Sequence, residues 1–198
     1  MDRPFVLYLI RHLETAANRE RRYVGWTDVP VCVKADPASF EADVIAGSDL
    51  VRCRETARLL FPGAAYEAMP EFRECLFGEW EMKTYDDLKG DARYRKWIDD
   101  PFSGKPPGGE RFGDMEARVR AGLMRLKAHP GHSAAVVTHG GPVRLLLAEL
   151  APDERPFFDR AVPPGSVYRL EWKDRQDWEE GKRCTSMSAV PITGSGTS

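Results

Sequence analysis

Long hydrophobic runs are missing from this sequence. Asp2 and Arg3 precede only six apolar residues, Phe5 to Ile10, and no later stretch nears the roughly 20 residues a membrane-spanning helix needs. Neither a secretory core nor an anchor is expected, and a cytoplasmic location follows by default. An excess of one charge is missing too. With 29 Lys and Arg against 31 Asp and Glu, the net charge of −2 gives no field to gather nucleic acid or a membrane surface. Any anion must be bound locally and should be small. Cysteine is scarce: Cys32, Cys53, Cys75 and Cys184 show neither paired metal spacing nor a disulfide framework, so reduced thiols are expected. None has an arginine six positions later, which excludes the short cysteine phosphatase loop. No glycine-rich lysine phosphate cradle and no helical pair of metal-spaced histidines occurs. Metal-free histidine chemistry remains, with no cofactor expected.

Among the 198 residues are two histidines in matching settings. His12 ends the apolar run Phe5 to Ile10 after Arg11, and His139 ends Ala134 to Thr138 before Gly140-Gly141. Unbroken apolar runs predict strands of a parallel sheet covered on both faces, and such sheets bind ligands beyond their carboxyl ends. Both imidazoles should open into one cleft holding a guanidinium and close-approaching backbone amides, a combination that favours phosphate. The expected fold is a single α/β domain over residues 1–180, a three-layer α/β/α sandwich on a mostly parallel sheet, followed by a flexible tail over 181–198.

Between these strands, Thr15 to Asp28 reads as a basic, polar rim loop. Asp43 to Gly47 reads as a second strand, and Ser48 or Asp49 as the N-cap of a helix through Leu60 that carries Arg52 in its first turn. Ala64 to Met69 is a further strand candidate and Pro70 to Trp80 looks irregular. Residues 76–113, ending in Lys105-Pro106-Pro107-Gly108-Gly109 and its flank, read as a lid-like insertion. Asp114 is expected to cap an amphipathic helix in which Met115, Val119, Gly122, Leu123 and Leu126 recur at helical spacing. Pro142 suits the first turn of a helix to about Leu150, and Gly165 to Trp172 a final edge strand.

A neutral imidazole is a competent nucleophile toward phosphorus when cations neutralise the phosphoryl oxygens and the ring is held in one tautomer. His12 is the candidate nucleophile, Arg11 and Arg52 the cations, and His139 a donor from the far side. Each has a plainer reading: a capped Arg-His pair, or glycines that simply turn the chain after His139. An acid must also protonate the leaving oxygen. Glu71, Glu74, Glu79 and Glu81 are candidates, each able to be an ordinary surface charge; Glu74, beside Cys75-Leu76-Phe77, has the most apolar surroundings. Trp26, Trp80 and Trp97 are candidates for a pocket wall or for core, whereas His129 and His132 flank Pro130-Gly131 in a polar connection and are left outside the site.

Four blocks in order, over Leu7 to Leu147, resemble the histidine phosphatase superfamily, the phosphoglycerate mutase-like proteins. They are Arg11-His12-Leu13-Glu14-Thr15 with Asn18 and Gly25-Trp26-Thr27-Asp28; Ser48 to Arg52 with Thr56-Ala57; Phe72-Arg73-Glu74 with Phe77-Gly78-Glu79-Trp80-Glu81; and Val137 to Gly141 with Arg144. The resemblance implies that His12 is phosphorylated, that Arg11, Arg52 and His139 bind the phosphoryl group with Asn18 and Gly140 auxiliary, and that Glu74 is acid and then base. Thr15, Trp26 and Trp80 would lie at the substrate rim. Phe77 to Glu81 with Pro107 to Glu110 looks most like α-ribazole phosphatases. The implied function is hydrolysis of a small phosphorylated metabolite. A phosphoglycerate mutase-type phosphotransferase and a catalytically impaired phospho-ligand binding protein are the alternatives. Two departures stand out. Leu13 replaces the usual glycine, predicting a narrowed pocket or reshaped loop. Val31 to Asp43 is short for a helix and contains Pro37, predicting a sheet face left open or covered by a second copy in a homodimer.

Overall fold

The computed structural model describes residues 3–192. Strand β1, Phe5–Arg11, lies at the middle of one sheet. Its parallel neighbour β4, Ser133–Thr138, is followed outward by β2, Val44–Gly47, and by β3, Glu67–Ala68, all parallel. On the other side β5, Val167–Trp172, runs antiparallel to β1, and β6, Ser186–Val190, runs antiparallel to β5.

Why β1 and β4 read as unbroken apolar runs is evident from their side chains. Leu7 and Leu9 with Ala134 and Val136 enter one core; Tyr8 and Ile10 with Ala135 and Val137 enter the other. The first core is closed by two long helices, α5 (Phe112–Lys127) and α6 (Gly140–Leu150). The second is closed by α2, Val51–Leu60, through Cys53, Ala57 and Leu60. The result is a three-layer α/β sandwich with a mixed sheet. Short helices complete the chain: α1 (Ala16–Arg19), α3 (Tyr85–Leu88), α4 (Ala92–Asp99) and α7 (Arg175–Glu179). Among the described residues no helix is long and apolar enough to cross a membrane.

Several boundaries differ from the sequence reading. Helix α2 starts after Leu50, whose side chain cannot cap it; the Val51 amide is met instead by Asp28 Oδ1 at 2.8 Å, while the Asp49 carboxylate is taken by a two-pronged pairing with Arg73 at 2.7 and 2.6 Å. Helix α5 begins at Phe112, so Asp114 lies in its first turn and is not its cap. Strand β3 is only two residues long, and β5 is not the sheet edge. Residues 181–190 are not a loose tail: Trp172 Nε1 bonds the Lys182 carbonyl at 2.7 Å, Cys184 N bonds the Leu150 carbonyl at 2.8 Å, and β6 completes the ladder on β5. Its Ser-Met-Ser-Ala-Val sequence carries little apolar signal because one flank of an edge strand faces water. The rest of the expected tail, 193–198, lies outside the described residues.

No helix forms between Val31 and Asp43. The sheet face there is covered from within the chain, as Phe40 stacks on Tyr8 at 3.9 Å between centroids and meets Phe61 edge-on at 5.7 Å. A covering second copy is therefore not needed for that face.

Candidate active site

Parallel pairing sets Arg11 beside Thr138, and the next residue on each strand is a histidine. The His12 amide donates to the Thr138 carbonyl at 2.8 Å, so the ladder fixes the backbone from which both rings project. Their centroids are 5.2 Å apart, at 63°. Both rings are buried, with 3% and 1% of their surface exposed.

The tautomers follow from the hydrogen bonds. His12 Nδ1 donates to the Leu13 carbonyl at 2.7 Å, leaving Nε2 as the free lone pair. His139 Nδ1 accepts from Arg52 Nε at 3.2 Å, so its proton sits on Nε2, which lies 3.5 Å from Cys53 Sγ. Burial, then the positive charges of Arg52 and Arg11, hold the His12 pKa well below the usual imidazole value. Burial and Arg52 do the same to His139. The Cys53 thiol is pushed up to about 12 by burial, so it is no thiolate competitor to His12.

Arg52 is fully buried and spans three partners: His139, the Thr27 carbonyl at 3.0 Å and the Gly25 carbonyl at 2.6 Å. Arg11 Nη1 donates to the Val162 carbonyl at 2.5 Å, while its buried Nε has no partner among the described residues. Burial lowers the pKa of both guanidiniums from its usual value. Gly140 lies against the Arg11 guanidinium, where a Cβ would stand 3.4 Å from Cζ. Two cations and two neutral rings thus converge at one sheet end, an arrangement complementary to a tetrahedral oxyanion.

Of the four candidate acids only Glu74 reaches this place. Its Oε2 accepts from the Gly141 amide at 3.0 Å and Oε1 from the Cys75 amide at 2.9 Å. A Cβ at Gly141 would displace the Glu74 carboxylate, overlapping its Oε1. Glu71 pairs with Arg125 at 2.6 Å and Glu79 with Arg93 at 3.3 Å, both away from the histidines. Glu81 has become the organiser of the rim loop, accepting from the Gly25, Trp26 and Thr27 amides at 3.1 Å each.

A cavity of about 360 Å³ opens beside Glu74 and Gly141. Tyr23, Phe77, Trp97, Phe112, Phe157 and Phe158 wall it, and Arg144 adds a guanidinium to its lining. Trp26 stays near Glu74, its Nε1 donating to the Glu74 carbonyl at 2.8 Å. Thr15 and Trp80, expected at the rim, are elsewhere. Thr15 caps α1, with Asn18 as its partner in a reciprocal capping box, and Trp80 is buried against Tyr94 and Trp97. Asn18 is thereby occupied within its own turn. Sequence reasoning missed Phe157 and Phe158, which come from a short 3₁₀ turn with no periodic signal, as well as Arg118 and Arg144 as neighbours of the acid. His129, left out of the site, does lie away from it, pairing with Glu67.

Leu13 packs within the fold against Gly165. It is buried, its amide donates to Thr56 Oγ1 at 2.9 Å, and its Cδ2 rests on Gly165, where a Cβ would come within 3.3 Å. Gly165 has φ of +77°, a conformation suited to glycine, so the bulk of Leu13 is accommodated opposite a residue that has none.

The neutral buried histidines make the stability of the fold depend on pH. Their folded pKa values lie below the unfolded value of 6.5, so as pH falls through that value the unfolded chain takes up protons that the folded chain refuses. Stability should therefore fall as pH drops below about 6.5. Urea unfolding should give a smaller free energy at about pH 5.5 than at about pH 7.5, and replacing both His12 and His139 by Asn should flatten that difference.

The histidine phosphatase superfamily (branch 1) model matches residues 7–183. The adenosylcobalamin/alpha-ribazole phosphatase of Salmonella typhimurium is 33% identical over 160 residues, covering 73% of this chain and 78% of that protein. Among solved structures, the alpha-ribazole phosphatase from Shigella flexneri superposes with a TM-score of 0.76 at 25% identity, covering 96% of each chain. The phosphoglycerate mutase from Thermus thermophilus superposes with a TM-score of 0.67 at 32% identity, covering 94% of this chain and 99% of that one. With the family model spanning nearly its whole length, this chain belongs to the histidine phosphatase superfamily, branch 1.

Proposed function

We propose that the protein is a phosphomonoesterase that works through a phosphohistidine on His12 and acts on a small metabolite with a flat, apolar portion, as α-ribazole phosphate has. The observation that carries this reading is the joining of two sites: a buried, doubly cationic pair of neutral histidines, and beside it an aromatic-walled cavity with Glu74 at the junction.

Arg11, Arg52 and His139 hold the phosphoryl oxygens. His12 Nε2 attacks phosphorus in line; the P–N bond forms as the ester P–O bond breaks, and Glu74 as a carboxylic acid gives its proton to the departing oxygen. The leaving alcohol is replaced by water. Glu74, now a carboxylate, takes a proton from that water as its oxygen bonds to phosphorus and the P–N bond breaks, returning neutral His12 and orthophosphate. A preorganised cationic pocket acts on the charge of both transition states, and the absence of reorganisation is its main advantage over water.

A mutase would return the phosphoryl group to another hydroxyl. The cavity speaks against phosphoglycerate, which has no apolar part to place against Phe77, Trp97, Phe112, Phe157 and Phe158. The packing of Leu13 on Gly165 favours a pocket that keeps its shape over an impaired one. Initial rates on α-ribazole phosphate, 3-phosphoglycerate, sugar phosphates and p-nitrophenyl phosphate test the reading. The expected outcome is a kcat/KM for α-ribazole phosphate at least about tenfold above that for sugar phosphates, since a well-filled apolar pocket is worth roughly 1–3 kcal/mol. Formation of 2-phosphoglycerate as main product would establish the mutase instead, and phosphate binding with no hydrolysis of any ester would establish the impaired binder.

A further inference from the structure

Glu74 sits in a segment with little regular structure of its own. Only the 3₁₀ turn Pro70–Phe72 precedes it, so the carbonyls around Glu74 must find partners elsewhere. One side chain supplies most of them. Arg118, on α5, donates from Nη1 to the carbonyls of Glu71 at 2.9 Å and Arg73 at 2.6 Å. Its Nη2 donates to the Glu74 carbonyl at 2.8 Å and to Glu110 Oε2 at 2.7 Å, and its Nε to Glu110 Oε1 at 2.7 Å. That accounts for every N–H a guanidinium has. Glu110 grips the same segment from the other end: its Oε2 accepts from the Leu76 amide at 3.3 Å and its own amide donates to the Leu76 carbonyl at 3.0 Å. The pair is largely sequestered, with 19% and 11% of the two side chains exposed.

Neither Arg118 nor Glu110 hydrogen-bonds to His12, His139, Arg11 or Arg52 among the described residues. The hydrogen bonds of the clamp thus go to the acid-bearing segment and not to the phosphate-binding side chains, although the Arg118 charge adds a small contribution to the low pKa of His139 and Glu110 lines the cavity. Its bonds concentrate on the three carbonyls of Glu71, Arg73 and Glu74, and the Glu74 carbonyl receives a second donor, Trp26 Nε1, whose ring centroid lies 5.9 Å from the Arg118 guanidinium. With the Glu74 carbonyl held by two donors, the carboxyl rests against the Gly141 and Cys75 amides, at the entrance of the aromatic cavity.

We propose that Arg118, braced by Glu110, is a positioning residue for proton transfer by Glu74, its guanidinium fork holding the acid-bearing segment so that the carboxyl meets the departing oxygen. The proposal rests on the reading of Glu74 as the acid. A positional error of this kind matters in proportion to how badly the leaving group needs a proton. A nitrophenolate departs unaided, whereas an alkoxide does not. A mere structural support would lower the rate on all esters alike.

The test is a leaving-group series. Aryl and alkyl phosphates of graded basicity are compared by kcat/KM for the wild type, Arg118→Lys, Glu110→Gln, Glu74→Gln and the Arg118→Lys/Glu74→Gln double variant. Competition by orthophosphate and thermal melting confirm that each variant is folded with its phosphate site intact. Lysine offers three donors on one atom and cannot span the five partners of the fork. Arg118→Lys should lose about 10²-fold on an alkyl phosphate but no more than about threefold on p-nitrophenyl phosphate, within the range general acids supply. Glu110→Gln should tilt the series the same way by less, and serves alone if Arg118→Lys does not fold. In the Glu74→Gln background Arg118→Lys should add less than about twofold, because the two act as one unit. An equal loss on every ester, no loss on the alkyl phosphate, or full additivity in the double variant would overturn the clamp while leaving Glu74 as the acid. A flat series for Glu74→Gln itself would overturn the acid assignment and the clamp with it.

Discussion

Replacing His12 by alanine is expected to lower kcat/KM for any phosphomonoester by on the order of 10⁵, because the nucleophile cannot be shared out among the remaining groups. The ring is buried in a pocket whose other members are fixed by bonds that do not pass through it: Arg52 to Gly25 and Thr27, Glu74 to Gly141. His12→Ala should therefore remain folded and still bind orthophosphate. It should also fail to form the acid-labile phosphoprotein that wild type gives when a labelled ester is mixed and quenched. Orthophosphate affinity separates loss of the nucleophile from collapse of the site. Undiminished turnover by purified His12→Ala would sink the assignment of a covalent intermediate to this residue.

The second large effect is expected from Arg52→Ala, which strikes activity and stability together. The side chain is fully buried, and its loss strands the Gly25 and Thr27 carbonyls and the Nδ1 of His139. Unsatisfied buried acceptors cost about 1–3 kcal/mol each, with some relief from water entering the space, so destabilisation of roughly 2–4 kcal/mol is expected from chemical unfolding. Loss of a preorganised charged donor should lower kcat/KM by about 10³. Lysine should not restore it, since no single ammonium reaches all three partners. Removing this charge also takes away a main cause, after burial, of the low pKa of His12, which must then rise. An imidazole titration by NMR would show that shift. An unchanged His12 titration and unchanged orthophosphate affinity would mean that Arg52 is only a structural brace for the rim loop.

How far the sequence discloses this molecule depends on whether a residue's role is local. Strands β1 and β4 were legible because burial on both faces leaves no polar positions, and both histidines because they end those runs. Helix α5 showed itself by its periodic apolar stripe. Arg52 could be placed by the helix start near it. Strand β6 was hidden because its Ser-Met-Ser-Ala-Val sequence carries little apolar signal and its support comes from pairing with β5. Asp49 looked like a cap until Arg73 competed for its carboxylate. Arg118 has the look of a surface arginine on an amphipathic helix, and its five partners come from segments near residues 71–74 and 110 that no helical spacing connects to it. Trp80 and Thr15 sat within matched blocks, yet packing assigned them to core and cap. Position in a motif says where the backbone passes, not which way a side chain turns.

Mounting the two imidazoles on the central ladder, while the aromatic wall comes from a surface excursion and a 3₁₀ turn, has an evolutionary consequence. On the proposed reading, insertions or exchanges at Trp97, Phe157 or Phe158 would retarget the molecule to a differently shaped ester without disturbing the sheet register from which His12 and His139 project. New specificity is thus accessible by drift in the periphery, at little cost to the inherited chemistry.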